Sequence, residues 1–357
     1  MSEFTFSFSG EDIDEGLCEE NVCSPSLSSP KKVEPKRIRR MTTSAFPIAG
    51  QEILKPKVHS LNDMLCDLPS RIAYKRLTID CNNGSRVEVP RRELWDIRGQ
   101  LMAEDDDENL KNLGQCDIKT GIYEGGFKSW ESSSDLVKVL FQANLNKNSC
   151  SRSILELGCG TAYPSIFEFQ RQIQQSLTMP SLGVLNIGLA DYNPTVLQLV
   201  TLPNLILSWA QEYRHILEDE GELEIDESLV EDFKCSLKSC KVTFTFFSGG
   251  WSPEFVRVVN ENLDLNAFYF VIVGAETIYS PFALKSFTEI IVSLLRSSKG
   301  PNKLALVAAK TFYFGVGGTM ADFCEQIKIH NGTVQLIHQE SVGVTRVVVE
   351  VKVLPIE

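Results

Sequence analysis

No two of the ten cysteines stand in a C-x-x-C pair, and the tightest spacings, Cys18/Cys23 and Cys235/Cys240, leave four residues between partners. Histidines are few: His59, His215, His330 and His338 are isolated, and none stands beside those cysteines at metal-ligand spacing. Reduced thiols and no metal site are therefore expected. No apolar run approaches the ~18 residues of a transmembrane helix, and no charged-then-apolar leader opens the chain, so neither membrane insertion nor secretion is expected. Positive charge is also short. Lys and Arg number 35 against 47 Asp and Glu, a formal net charge of −12. Such a surface binds nucleic acid poorly and suits a basic protein partner better.

What is present divides in three. Residues 1 to 57 read as a tail. It opens on the alternating aromatic patch "FTFSFSG", a short strand or a docking peptide, and continues into "SPSLSSPKKVEPKRIRR". Six of the ten residues 31 to 40 are Lys or Arg, with too little apolar surface to offset the entropy of ordering. That run is either a nuclear-import signal or a solvated linker. Residues 58 to 118 hold a strand and a helix with Leu94, Ile97 and Leu101 on one side, an extension packed on the main domain. From 119 to 357 the pattern alternates strand and helix.

The strand candidates "SILEL", "GVLNIGLA", "VTFTFF", "FYFVIVG" and "KLALVAA" are mostly continuous in their apolar character rather than alternating. Such strands are buried on both faces, as in a parallel sheet covered by helices. The helical "PFALKSFTEIIVSLLRSS" keeps Leu284, Phe287, Ile291 and Leu294 or Leu295 on one face. Two last strands, "GTVQLIHQ" and "TRVVVEVKVL", are close enough to pair antiparallel. The expected fold is an open, Rossmann-like α/β sheet, mostly parallel, with an antiparallel C-terminal hairpin and helices on both faces. An acidic stretch interrupts it at about 211 to 232. Between Glu212 and Asp232 ten acids face the single base Arg214, a surface insertion or an electrostatic lure.

"SILELGCGTAYPS" ends a strand at bare backbone and starts a helix at a proline. The spacing Gly158, Cys159, Gly160 begins like a dinucleotide fingerprint, yet Tyr163 stands where a small residue should let helix and strand close up. Glu156, two residues before the first glycine, is expected to repel phosphates and tolerate a sulfonium. Asp191 ends "LNIGLAD", where a carboxylate accepts from both hydroxyls of a ribose or caps the helix opening at Pro194. "GAETIYSP" follows the strand "FYFVIV", so Glu276 and Tyr279 emerge at the carboxyl edge of the sheet, where ligand crevices form. Glu276 reads as a site group or a helix-end charge, and Tyr279 as a site group or packing.

With "ELGCG", "DYN", "FFSGGW", "ETIY", "FYFGVGG" and the upstream "TGIYEGGFKSWESSSDL", the sequence resembles the protein-histidine N-methyltransferases, seven-strand S-adenosylmethionine enzymes. The resemblance covers most of residues 117 to 353. It implies S-adenosylmethionine as cofactor and a histidine of a large-subunit ribosomal protein as substrate. A monomer is expected, in the cytoplasm and, through the basic run at 31 to 40, in the nucleus. Trp130, Glu131, Ser132 and Ser133 would then border the methionine end of the cofactor, and Gly158 and Gly160 would let the backbone approach it. Asp191 would hold the ribose, with Tyr192 and Asn193 beside it, while Gly250 and Trp251 would flank the adenine. Glu276, Tyr279, Lys310, Tyr313 and the glycines of "FGVGG" would face the substrate. The sequence departs from the family pattern at "TAYPS" and at Ala275, a cofactor-side position where a hydroxyl residue is more typical.

Imidazole suits such a reaction. Its ordinary pKa of about 6.5 leaves it largely neutral at pH 7, whereas a lysine amine at about 10.4 must first lose a proton. Orientation and tautomer control then suffice, with no Ser-His-Asp or metal constellation. The competing readings are a lysine methyltransferase of the same architecture and a non-catalytic S-adenosylmethionine-binding protein.

Overall fold

A computed structural model describes residues 53–81, 84–104, 125–143, 149–179, 181–315 and 317–354. The aromatic start, the basic run and "TGIYE" lie outside them. The chain enters with β1 (Lys57–His59), α1 (Leu61–Cys66), β2 (Arg71–Asp80), β3 (Arg86–Arg92) and α2 (Leu94–Ala103). Then come α3 (Glu131–Ala143), β4 (Arg152–Leu157), α4 (Tyr163–Ser176) and β5 (Leu185–Asp191). A helical run, α5, joins Pro194–Val196, Leu197–Thr201, Leu202–Trp209 and Ala210–Arg214, its second and fourth pieces wound as π-helix. It is followed by β6 (Glu220–Glu224), α6 (Glu227–Ser239), β7 (Val242–Ser248), α7 (Pro253–Asn262) and β8 (Tyr269–Ala275). The chain ends with α8 (Pro281–Ser297), β9 (Asn302–Lys310), α9 (Met320–Ile329), β10 (Gly332–Glu340) and β11 (Arg346–Val353).

The continuous apolar runs do become buried parallel strands. β7, β5, β4, β8 and β9 lie side by side in that order and run parallel. β11 and β10 extend the sheet as the expected antiparallel pair. An eighth strand, β1, pairs antiparallel with β7 at the far edge. Side chains alternate between faces with period two. Leu155 and Leu157 thus join one core with Phe287 and Ile291 of α8. Ile154, Ile187 and Leu189 join another with Leu136, Ile166 and Leu205 of α3, α4 and α5. From β4 the chain winds outward to β7 and then crosses to β8 on β4's other side. The carboxyl ends of β4 and β8 therefore meet at the switch in strand order, where open α/β sheets hold ligands.

The helix α8 shows how the sequence sets such an element. Ser280 caps it by accepting from the Ala283 amide at 3.2 Å, Pro281 opens the first turn, and Leu284, Phe287, Ile291, Leu294 and Leu295 are all buried. No helix among the described residues is long and apolar enough to cross a membrane.

The extension before residue 104 forms a second, three-stranded antiparallel sheet, β3-β2-β6. Its third strand comes from the acidic stretch, which is built structure rather than a bare insertion. There Glu222 faces Arg71 at 2.8 Å, Glu220 faces Lys75 at 3.4 Å and Asp219 faces Arg76 at 3.4 Å, while Arg214 pairs with Asp232. Four of the ten acids of this stretch thus have a basic partner. Arg92 fastens this sheet to α5. Pro203 has no amide to give the carbonyl of Leu199, and the buried Arg92 guanidinium donates to that carbonyl at 3.1 Å. A π-helical turn, Leu197–Thr201, lies just before Pro203.

Candidate functional site

The glycine turn after β4 is shaped by what presses on it. Gly158 and Gly160 have φ of +67° and +46°, a region that L side chains adopt at a cost. A Cβ on Gly160 would lie 3.0 Å from the Gly126 carbonyl oxygen, and one on Gly126 would lie 2.7 Å from Val196. The glycines of "YEGG" and "GCG" thus fold against each other. Tyr163, which does not fit a dinucleotide fingerprint, is fully buried, and its hydroxyl lies 2.6 Å from Ser129 Oγ, bracing the segment above the turn.

Asp191, at the end of β5, accepts from the Gly160 amide at 3.1 Å through Oδ2 and from the Asn193 amide at 3.2 Å through Oδ1. The carboxylate ties the turn to Asn193, the residue before α5, and lines the cavity, but it does not cap the helix, whose N-cap position is Asn193. The Cys159 amide donates to Ala190 O at 2.9 Å. Two of the amides that would cradle a pyrophosphate are already taken, one of them by a negative charge. Cys159 lines the cavity too, but burial and the neighbouring Asp191 push its thiol well above the usual range, so it is no nucleophile.

A cavity of about 650 Å³ opens over these strand ends, within the ~300–1,000 Å³ of small-molecule sites. Of the residues expected from sequence, Trp130, Ser133, Gly158, Gly160, Asp191, Tyr192, Trp251, Ala275, Glu276, Tyr279, Lys310 and Tyr313 line it. Trp130 donates from Nε1 to Gly125 O at 3.2 Å, and the Lys310 ammonium sits 5.7 Å from its ring centroid. Trp251 packs on Phe287 with centroids 5.3 Å apart. Seven expected residues stand outside the lining, three of them the glycines of "FGVGG", Gly315, Gly317 and Gly318. Glu131 turns to Arg346 at 2.9 Å, Gly250 donates its amide to Leu54 O at 2.8 Å, and Asn193 bonds Asp191. Ser132 is fully buried behind the wall and donates its hydroxyl to Glu276 Oε1. The sequence reading passed over Lys128, Thr161, Gly249, Thr277, Phe312, Phe314 and Val344, all in the lining.

Glu276 holds the far wall. Its φ is +56°, and its amide donates to Ala308 O at 2.9 Å. It is no helix-end charge, because Ser280 caps α8. Tyr313 donates to Oε2 at 2.5 Å. Burial raises the carboxyl's pKa above its ordinary value, and the two hydroxyls, Lys310 and Arg346 offset only part of that rise. The Tyr313 phenol is raised well above its usual range by burial and by that carboxylate, and stays a donor.

One expectation about the site does not hold. Glu156 neither lines the cavity nor carries its charge there. Its side chain is buried under the start of α4, where Ser165 donates to Oε2 from its amide at 3.0 Å and from its hydroxyl. Full burial and the nearby Asp191 raise its pKa from 4.5 to about 8, so it is protonated at neutral pH. The stability gained from burying it neutral is complete below its ordinary pKa and is lost as pH rises through the folded value, on the order of a few kcal/mol. Glu156→Gln should therefore flatten the fall of Tm between pH 5 and 8. Parallel melting curves with the wild type would argue against a buried neutral carboxyl. Elsewhere Asp135, His338 and Glu340 bring possible ligand atoms within 4.8 Å of one another. Lys138 and Arg346 already pair with those acids.

A doubly wound sheet with a carboxylate after its second parallel strand and a bare glycine turn after its first defines a Rossmann-like nucleoside-cofactor enzyme. No family model matches the sequence. It is 34% identical over 277 residues to histidine protein methyltransferase 1 of Schizosaccharomyces pombe, covering 75% of this chain and 76% of that one. It is 31% identical over 346 residues to histidine protein methyltransferase 1 of Saccharomyces cerevisiae, covering 90% and 89%. A Bos taurus homolog is 34% identical over 205 residues, 57% of this chain and 48% of that protein. The chain belongs to the histidine protein methyltransferase family, and membership makes it a protein-histidine N-methyltransferase with S-adenosylmethionine as methyl donor.

Proposed function

We propose that the cavity binds S-adenosylmethionine along the glycine turn, Asp191 and Trp251, and that Glu276 aims a histidine of a large-subunit ribosomal protein at it. The residues fit the cofactor. Asp191 supplies acceptors for a ribose diol, Trp251 an aromatic face for adenine, and Gly158 and Gly160 an approach free of side chains. Trp130 and Ser133 also line the cavity and would border the methionine portion. When bound, the cofactor supplies an electrophilic methyl group on a cationic sulfur. Everything else falls to the chain. Tyr313 and Ser132 aim the Glu276 carboxylate, which accepts a hydrogen bond from the proton-bearing nitrogen of the imidazole and leaves the other nitrogen's lone pair toward the methyl. As the N–C bond forms and the methyl's bond to sulfur breaks, the ring becomes a cation, and the same carboxylate stabilises it until the ring proton is released to solvent.

The observation that carries this reading is the Glu276 carboxylate, held by two hydroxyls in the wall of a cavity that also contains Asp191. Purified protein given labelled cofactor and separated ribosomal subunits tests the substrate. Label should enter a large-subunit protein, and label confined to small-subunit proteins or absent would sink the ribosomal assignment. In this reading the enzyme acts as a monomer on a protein, reads no nucleic acid directly, and divides between cytoplasm and nucleus. Changing Lys36, Arg37, Arg39 and Arg40 together to Ala in a fluorescent fusion should deplete the nuclear pool. An unaltered distribution would return residues 31 to 40 to a solvated linker.

A further inference from the structure

We propose that Ser132 and Tyr313 are positioning residues that lock the Glu276 carboxylate and keep it charged, so that it meets the substrate imidazole as an acceptor. This rests on the role given to Glu276 above and deepens it. Each carboxylate oxygen has its own donor: Ser132 Oγ serves Oε1, and the Tyr313 hydroxyl serves Oε2 at 2.5 Å. The donors come from different elements, the first turn of α3 and the loop after β9. Both elements are braced. Arg346 of β11 bonds Asp135 at 2.7 Å and Glu131 at 2.9 Å, fixing α3 to the sheet. In the loop, the Tyr313 amide donates to Gly318 O at 3.1 Å and the Gly318 amide to Tyr279 O at 3.1 Å. Gly318 lies so close to the chain after Glu276 that a Cβ there would fall 2.0 Å from Ile278 O.

A glutamate has three side-chain torsions to order, and the two hydroxyls order them before substrate arrives. They also decide its charge. Burial favours the protonated acid, whereas hydrogen bonds donated to the ionised form favour that form. The groups facing it are Ser132 from α3, Tyr313 from the loop, Lys310 from β9 and Arg346 from β11. Without one hydroxyl, burial gains weight and the carboxyl protonates at higher pH. The acid limb of kcat/KM then moves to higher pH, while the substrate imidazole, near its ordinary ~6.5, contributes the same limb to every variant.

The test measures pH profiles of histidine methylation for Tyr313→Phe, Ser132→Ala, the double variant and Glu276→Gln, with calorimetry of S-adenosylmethionine on each. Tyr313→Phe should lose about ten- to a hundredfold in kcat, with its acid limb raised by about one pH unit and its KM within a few-fold. Ser132→Ala should move in the same direction. The double variant should lose less than the product of the singles, because both serve one carboxylate. Cofactor affinity within a few-fold of wild type reports an intact fold. Wild-type kcat and acid limbs in both singles, alongside a slow Glu276→Gln, would overturn the proposal. A Glu276→Gln enzyme working at the wild-type rate removes the role on which it rests.

Discussion

Glu276→Gln should methylate the histidine substrate roughly ten- to a thousandfold more slowly than the wild type, the loss of a transition-state interaction of about 1.5–4 kcal/mol. Glutamine keeps the shape but carries no charge and can present its amide as a donor. The carboxylate sits in a largely buried wall, where a charge opposite the forming imidazolium acts through a lower dielectric than water. Ser132 and Tyr313 donate to its two oxygens, so an amide nitrogen at either place sets donor against donor. Cofactor affinity should stay within a few-fold, because the glycine turn, Asp191 and Trp251, proposed to hold the cofactor, stand on other elements. Single-turnover rates with calorimetry on the same preparation separate the two effects. A glutamine variant at wild-type speed would leave Glu276 a wall residue and pass its role to Tyr279 or Lys310.

Asp191→Ala should weaken S-adenosylmethionine binding by roughly ten- to a hundredfold from the lost ribose hydrogen bonds alone. The structure adds a second loss. The same carboxylate bonds the amides of Gly160 and Asn193, and both lose their acceptor in alanine. Leaving buried donors unmade costs about 1–3 kcal/mol, so the variant should also melt earlier. Asp191→Asn keeps one acceptor oxygen and should recover part of the stability while remaining a weak binder. Unchanged affinity in the alanine variant, or tight binding of NAD by the wild type, would contradict the assignment of the turn.

The parallel strands were legible because burial on both faces leaves unbroken apolar runs such as "FYFVIVG" and "KLALVAA", and the sheet places the groups that follow them at one edge. β1 and β6 left no such trace. "KVH" and "EGELE" pair through backbone, and within them only Leu223 is buried, so hydropathy says nothing of their place. Glu156 was misjudged because its closeness to Gly158 in sequence suggested a site group, while its carboxyl is buried under the first turn of α4 and bonded to Ser165. The clamp on Glu276 could not be read at all. Ser132 and Glu276 are 144 residues apart, and Arg346 and Glu131 are 215 apart. The second pair depends on the β9–β11 register, which sets Arg346 opposite Lys310, and no local pattern encodes either pair.

The most direct measurement is the chemical identity of the methylated residue. Wild-type protein, S-adenosylmethionine labelled in its methyl group and large-subunit ribosomal protein are incubated together, and the product is hydrolysed to amino acids and separated. The label should run with methylhistidine, and should be strongly reduced with Glu276→Gln and with Asp191→Ala at limiting cofactor. Label running with methyllysine, or methylhistidine formed equally well by both variants, would contradict an imidazole aimed by Glu276 at a cofactor held by Asp191.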